Sequence, residues 1–383
     1  MKVDIVIIGG GIVGASAALG LSRGGLSVAL VEAHLPQQSS AEWDNRIYAI
    51  TPGSAAFLRD LGVWDALDVS RINPIHAMQV WGDTASNPLT FDAYAAGVAE
   101  LGFIVENRLL HSTLWKALEQ ADLEVLCPAR CAALEFDKDA AHLTLQDGYS
   151  ISAKLIIAAD GANSWVRQQA GMEMTAEPYH QLGVVANFET EKSHGNIARQ
   201  WFKNDGALAW LPLPDKRISM VWSAFETQAK NLLELIPEAL CHTVAEAGSH
   251  CLGEMQLITP PAAFPLVLQT NSSIIAPRLA LVGDAAHQIH PLAGQGMNLG
   301  LRDVQVLAEN LRKNQRDVGE WATLRRYERA RKADVLAMSS VTDGLQKLFN
   351  NDDPMLGFLR NTGLKMVNHL PPVKRALMAR ALA

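Results

Sequence analysis

The hydrophobic pattern of this chain changes character several times. Val3 to Ile8 is a short unbroken apolar run, the pattern of a strand buried on both faces of a parallel sheet. A glycine turn follows, and a helix is expected from there to about Arg23, where Gly24-Gly25 stops it. Gly14, Ala15, Ala17 and Ala18 give that helix a face small enough to lie close on a sheet. Ser27 to Val31 reads as the second strand, ending at Glu32. Together these pieces form one βαβ unit.

Further along, Thr51 to Leu61 reads as a helix with Pro52 in its first turn. Residues from about 123 to 149 alternate in hydrophobicity and contain an Asp147-Gly148 turn, as in an antiparallel ribbon. Leu155 to Ala159 is another buried strand, running into Asp160-Gly161. From about 175 to 270 the texture shifts to short strands: His180 to Phe188, Ile197 to Phe202, Ala207 to Leu211 and Ile218 to Trp222. Ile274 to Val282 returns to the first pattern. Met297, Leu301, Val304, Ala308 and Leu311 then mark one face of a helix by their spacing.

The expected fold is α/β (α+β). A discontinuous Rossmann-like dinucleotide domain (1–174 and 271–345) carries an inserted mixed or antiparallel sheet domain (175–270) and a helical C-terminal segment (346–383). A length of 383 residues supports two joined domains.

Composition narrows the function classes. Charged residues are 19% of the chain, against a norm of about 25%. That allows a large core and an apolar ligand cavity. A net charge of −7 gives no basic field for nucleic acid. The four cysteines lack metal-type spacing, which suits reduced thiols in a cytoplasmic protein. No uncharged run approaches the roughly 18 residues needed to span a bilayer.

Chemistry concentrates in three glycine motifs. Gly9-x-Gly11-x-x-Gly14 lets the backbone turn tightly and approach a pyrophosphate at a helix N-terminus. Glu32, at the end of the second strand, accepts hydrogen bonds from ribose hydroxyls and repels a 2′-phosphate. The second motif runs from Asp160-Gly161 through Ser164 to Arg167; it reads as a capped turn or as the border of a cofactor groove. The third is the most informative. Gly283-Asp284 stands at a strand end, and His290, Pro291, Gly294, Gly296, Met297 and Asn298 form a loop that opens a helix. Asp284 suits either a helix N-cap or a ribityl hydroxyl. Gly294 and Gly296 admit a flat ring, and the helix dipole favours an anion there. Two such sites, one at each end of the chain, suit a long ligand of flavin shape. Arg46 and Arg108 each follow a polar break and precede an expected helix, so each reads either as facing the pyrophosphate or as a solvated surface arginine. His287 and His290 lack a third partner, so hydrogen bonding fits them better than metal binding, and no metal site is expected. Trp201, Trp210 and Trp222 are read as core or as the lining of an aromatic or prenyl-chain cavity.

In order and spacing these motifs resemble the class A flavoprotein monooxygenases of the p-hydroxybenzoate hydroxylase fold. Ala159 to Ser164, Gly283 to His287, Leu299-Gly300, Leu61 to Asp65, Val105 to Arg108 and Tyr327 to Lys332 are similar to the ubiquinone-biosynthesis hydroxylase group. The resemblance implies bound FAD, transient NADPH or NADH, O2, and a flavin C4a-hydroperoxide that hydroxylates a polyprenyl phenol. It implies FAD contacts at Gly9, Gly11, Gly14, Glu32, Arg46, Arg108 and Asp284. Pro291 to Asn298 would line the flavin ring, and Asp160 and Arg167 would belong to a turn shared by FAD and NAD(P)H. Pro291 and His290 are the nearest candidates for a catalytic role. Other readings on the same fold are a prenyl-lipid reductase, an epoxidase, or a non-catalytic flavin-binding subunit of a biosynthetic complex. A poorly soluble substrate implies contact with a membrane surface and with other proteins of the pathway. Residues 360–383, basic and apolar without acids, read either as an amphipathic anchor at the inner membrane or as a terminal helix packed on the domain.

Overall fold

The computed structural model describes residues 1–349 except 39, 83–87, 204–205, 290–294 and 314–315. In the final helix it omits the side chains of 339, 341–343 and 345–349. Along the chain the strands are β1 (Lys2–Ile8), β2 (Val28–Val31), β3 (Ile47–Ile50), β4 (Asn73–Ile75), β5 (Ala77–Trp81), β6 (Leu89–Asp92) and β7 (Gly102–Glu106). They continue with β8 (Glu124–Leu126), β9 (Cys131–Phe136), β10 (Ala141–Leu145), β11 (Ser150–Ala158), β12 (Met174–Thr190), β13 (Ile197–Lys203) and β14 (Gly206–Leu213). The last are β15 (Arg217–Phe225), β16 (Met255–Leu257), β17 (Ala262–Asn271), β18 (Ile275–Ala276), β19 (Leu279–Leu281) and β20 (His287–Gln288). The helices are α1 (Ile12–Ser22), α2 (Pro52–Asp60), α3 (Ala93–Ala96), α4 (Asn107–Leu118), α5 (Trp165–Gln169), α6 (Glu226–Glu234), α7 (Pro237–Ala247), α8 (Gln295–Arg312) and α9 (Trp321–Phe349).

The first sheet runs β18-β19-β11-β1-β2-β8. Its centre is parallel: β1 pairs with β2 and β11, and β11 with β19. The β9–β10 ribbon joins it antiparallel through β11. Ile5, Ile7 and Leu30 on this sheet pack under α1, α2, α4 and α8 in one core. Its opposite face buries Val6, Ile8, Leu143 and Ile156. The unbroken apolar runs in the sequence follow from this burial on both sides.

The second sheet runs β20-β17-β12-β15-β14-β13-β5-β6, with β16 beside β12. It therefore extends beyond 175–270, taking β5 and β6 from one side in sequence and β20 from the other. The short-strand pattern also concealed two helices, α6 and α7, which cover one face. Trp210 and Trp222 lie in the core beneath those helices, with Leu232, Leu240 and Val244. Trp201 stacks on Trp81 at 4.9 Å and meets Trp210 edge-on at 4.7 Å. These tryptophans are packing residues of the helix-covered face, so the core reading holds and the alternative, a cavity lining, does not. The other face, through Ala198, Leu211 and Leu213, packs against Ile75, Ile104 and Trp43 near the third sheet, β3-β7-β4. The four cysteines are free thiols. Among the described residues no helix is long and apolar enough to cross a membrane, and no cluster suits a metal ion.

Candidate functional site

The fold brings the three glycine motifs together. Gly9 has φ of +105°, and a Cβ there would lie 2.4 Å from the Ala159 carbonyl oxygen. The first turn therefore touches the strand that leads into Asp160. A Cβ at Gly14 would lie 1.9 Å from the Gly9 carbonyl oxygen, so only glycine lets α1 start this close to the turn. Gly283, with φ of +60°, sits against Val13 of α1, and Gly300 of α8 would place a Cβ 3.1 Å from the Gly283 Cα. Three small-residue contacts thus hold the β1, β11 and β19 turns around one helix N-terminus.

Gly11 differs from these. A Cβ there would meet nothing within 4 Å, and no side chain caps α1 at this residue. The protein's own packing does not require this glycine. Open space beside an uncapped helix N-terminus fits the phosphates of a dinucleotide.

Glu32 is held next to this turn. One carboxylate oxygen accepts from the Gly10 amide at 2.6 Å and the other from the His34 amide at 2.8 Å. The Gly10 carbonyl accepts from Trp115 Nε1 at 2.9 Å and lies 3.0 Å from His111 Nε2. Burial pushes the His111 imidazole down in pKa, although its contact with Gly10 opposes this. His111 and Trp115 are four apart on α4 and reach back across the domain, a role no local pattern announces.

Arg46 and Arg108 approach from the other side. Both backbone amides donate to Asp44, at 3.0 Å each, which fixes the loop before β3 against the start of α4; Arg46 thus precedes a strand and not the expected helix, because residues 47–50 pair with β7. The Arg46 guanidinium lies over Tyr48 at 5.7 Å. Its charge opposes the rise in pKa of Asp284 and Tyr48 and adds to the fall of His111. Burial pushes the Tyr48 hydroxyl up to about 12, against the pull of Arg46. Glu106 ends β7 in an ion pair with Arg71 at 2.5 Å.

The second motif is a capped turn. Asp160 accepts from the Val166 amide at 3.1 Å, and Ser164 from the Arg167 amide at 3.0 Å. Arg167 is buried. Its guanidinium donates to the Ala285 carbonyl at 3.0 Å and the Ala162 carbonyl at 2.7 Å, tying the second motif to the third. The other Asp160 oxygen is buried without a partner among the described residues.

In the third motif Asp284 lies in a short 3-10 turn, half-buried, and among the described residues nothing donates a hydrogen bond to its carboxylate. Burial pushes its pKa up, and the charges of Arg46 and His287 oppose that. A hydroxyl donor from a ligand would satisfy it. Behind it stands a buried network that the sequence did not announce. Asp303 of α8 accepts from the Gly283 amide at 2.9 Å, from His287 at 2.8 Å and from Arg331 of α9 at 2.7 Å. Arg331 also pairs with Asp334 at 2.6 Å. The His287 reading, hydrogen bonding rather than metal, agrees with this placement. Asn298 is fully buried and bridges the Ala49 carbonyl and the Thr51 amide, so its side chain joins α8 to β3 and α2. Met297 packs against the main core, and Gly296 faces open space. His290, Pro291 and Gly294 lie outside the described residues.

The comparisons with known proteins agree with this geometry. A family model described as FAD binding domain matches residues 2–341. The chain is 39% identical to 3-demethoxyubiquinol 3-hydroxylase of Escherichia coli (strain K12), covering 99% of this chain and 98% of that protein. It is 38% identical to ubiquinone hydroxylase UbiL of Rhodospirillum rubrum, covering 99% and 89%. It is 32% identical to the mitochondrial ubiquinone biosynthesis monooxygenase COQ6 of Homo sapiens, covering 98% and 92%. Among solved structures it superposes on p-nitrophenol 4-monooxygenase PnpA from Pseudomonas putida DLL-E4 with a TM-score of 0.80 at 18% identity, covering 100% and 99%. HpxO of Klebsiella pneumoniae, solved with FAD and uric acid, gives a TM-score of 0.77 at 18% identity, covering 100% and 97%. At those identities the structural likeness is one of fold.

Proposed function

The chain belongs to the FAD binding domain family, and from that premise we propose that it is an FAD-dependent monooxygenase hydroxylating the ring of a polyprenyl phenol in ubiquinone biosynthesis. NADPH or NADH supplies the electrons and O2 the oxygen atom. One observation carries the reading: the first and third motifs, far apart in sequence, meet around a single uncapped helix N-terminus, with open space at Gly11 and an unpartnered carboxylate at Asp284. The full-length likeness to three ubiquinone-pathway oxygenases supports the substrate class.

In this reading Gly11 and the first turn of α1 receive the pyrophosphate. Glu32 takes the ribose hydroxyls on its remaining lone pairs. Asp284 accepts from a ribityl hydroxyl, and Arg46 balances phosphate charge between the two ends. Gly296 leaves room for the ring. When bound, FAD would supply two-electron chemistry between the nicotinamide and O2, with one oxygen atom going to the aromatic ring and the other leaving as water. The chain's own work is to hold these partners in register and to keep water from the reacting oxygen. Arg167 serves indirectly here, fixing the Asp160 turn to the Gly283 turn. A membrane surface is where such a substrate would be met, and 360–383 is the segment proposed to touch it.

Substrate-stimulated turnover tests the reading. FAD-loaded protein should oxidise NADPH or NADH and consume O2 faster when a short-chain prenyl phenol is present, yielding a product heavier by one oxygen in mass spectrometry. Reductant consumption that ignores the phenol, with no oxygenated product, would contradict it.

A further inference from the structure

The face of the second sheet turned away from α6 and α7 carries a group that the account so far leaves idle. Gln181 of β12 is 2% exposed, and among the described residues neither its amide oxygen nor its amide nitrogen has a hydrogen-bond partner. A buried carboxamide unsatisfied at both ends is unusual in a folded protein and requires an explanation. Its setting supplies one. Phe225 stands directly opposite on β15. Gly183, next on the same face, lies under the Phe264 ring, where an added Cβ would come within 2.9 Å of the aromatic edge and 3.3 Å of Leu266. Phe225 and Phe264 are both largely exposed, at 45% and 42%, so apolar surface continues outward from the buried amide.

Further along the same face, Asn187 Oδ1 and Ser219 Oγ are also buried without partners among the described residues. Asn187 donates to the Asp44 carbonyl, on the loop that carries Arg46. β17, which holds Phe264 and Leu266, pairs at Gln269 and Thr270 with β20, the strand leaving the Gly283-Asp284 turn. The face therefore looks onto the domain that holds the three motifs. Its unpartnered polar groups are all neutral.

We propose that Gln181 is a specificity-determining residue that binds the oxygen substituents of a neutral phenolic ring. Its Oε1 accepts from the ring hydroxyl and its Nε2 donates to an oxygen on the adjacent ring carbon. Phe225 and Phe264 flank the apolar tail where it leaves toward solvent. A neutral amide, able to donate and accept at once, matches a phenol beside an ether or hydroxyl oxygen; a carboxylated ring would call for a cation. The inference rests on the hydroxylase reading and narrows its substrate class.

The test compares two probes on FAD-loaded full-length protein: a short-chain prenyl methoxyphenol, and the same prenylbenzene without its ring oxygens. Binding is followed by quenching of tryptophan fluorescence, and turnover by KM and kcat. Wild type should prefer the phenol. Gln181→Met, apolar and of equal length, should weaken phenol binding and raise its KM about tenfold while leaving binding of the oxygen-free probe as it was. Gln181→Leu repeats the comparison if the first variant fails to fold. A variant that keeps the wild-type preference, or that weakens both probes equally, would overturn the assignment and leave the hydroxylase reading standing. Wild type that shows no phenol-stimulated turnover would instead sink that reading.

Discussion

Asp303 shows how much one buried residue can hold. Its carboxylate accepts from a backbone amide, an imidazole and a guanidinium, and none of the three is exposed enough for water to replace it. Burial opposes charge on both members of the His287–Asp303 pair. Their mutual attraction wins, so His287 titrates above its usual range and Asp303 below its own; Arg331 adds to the fall of Asp303 and opposes the rise of His287. The signs have opposite consequences. The His287 contribution to stability is complete below about pH 6.5 and is lost as pH rises through its raised folded value. That of Asp303 is present above about pH 3.9 and is lost as pH falls through its lowered folded value. Asp303→Asn should lower unfolding free energy by about 3–5 kcal/mol, since it leaves the buried His287 without its counter-charge and Arg331 with Asp334 alone. It should also flatten the alkaline fall in stability. Urea unfolding of both proteins from about pH 6 to about pH 10 checks this; a variant with the wild-type pH profile would show that the pair is not ionised.

Elements were legible where their pattern was local. The β1–α1–β2 unit follows from an apolar run, three glycines and a small-residue helix face, and the structure agrees within a residue or two. Thr51 caps α2 by accepting from the Ser54 amide, with Pro52 following as expected. Elements whose identity depends on distant partners were harder to read. β12 runs for 17 residues because β15, β16 and β17 all pair with it, and its exposed first half has no alternating pattern. α6 and α7 hide among proline and tryptophan signals that suggested strands. Gln181 has no periodicity to mark it; only the packed sheet reveals that its amide is isolated. The segment 360–383 is a proposal from sequence alone. Its five basic residues among Leu, Met and Val suit an amphipathic anchor. Removal of 360–383 should shift the protein from the membrane pellet to the supernatant, while FAD content stays unchanged. Persistence in the pellet would assign those residues to packing instead.

At the scale of the molecule, the ligand site is assembled by topology. β1, β11 and β19 lie side by side in one parallel sheet, so their turns emerge together although the sequence separates them. Each close approach uses a glycine for a different neighbour: Gly9 for Ala159, Gly14 for Gly9, Gly300 for Gly283. Of the three glycines in the first motif, Gly11 alone has no described atom within 4 Å of an added Cβ. Flavin titration onto the apoprotein therefore tests the central claim most directly. Wild type should take up one FAD per chain and gain a visible band near about 450 nm, a property of the coenzyme. Gly11→Ala and Asp284→Ala alter opposite ends of the groove. Each should fold as wild type does yet bind FAD at least about tenfold more weakly. Wild-type FAD affinity in either folded variant would contradict a single cofactor held between those two motifs.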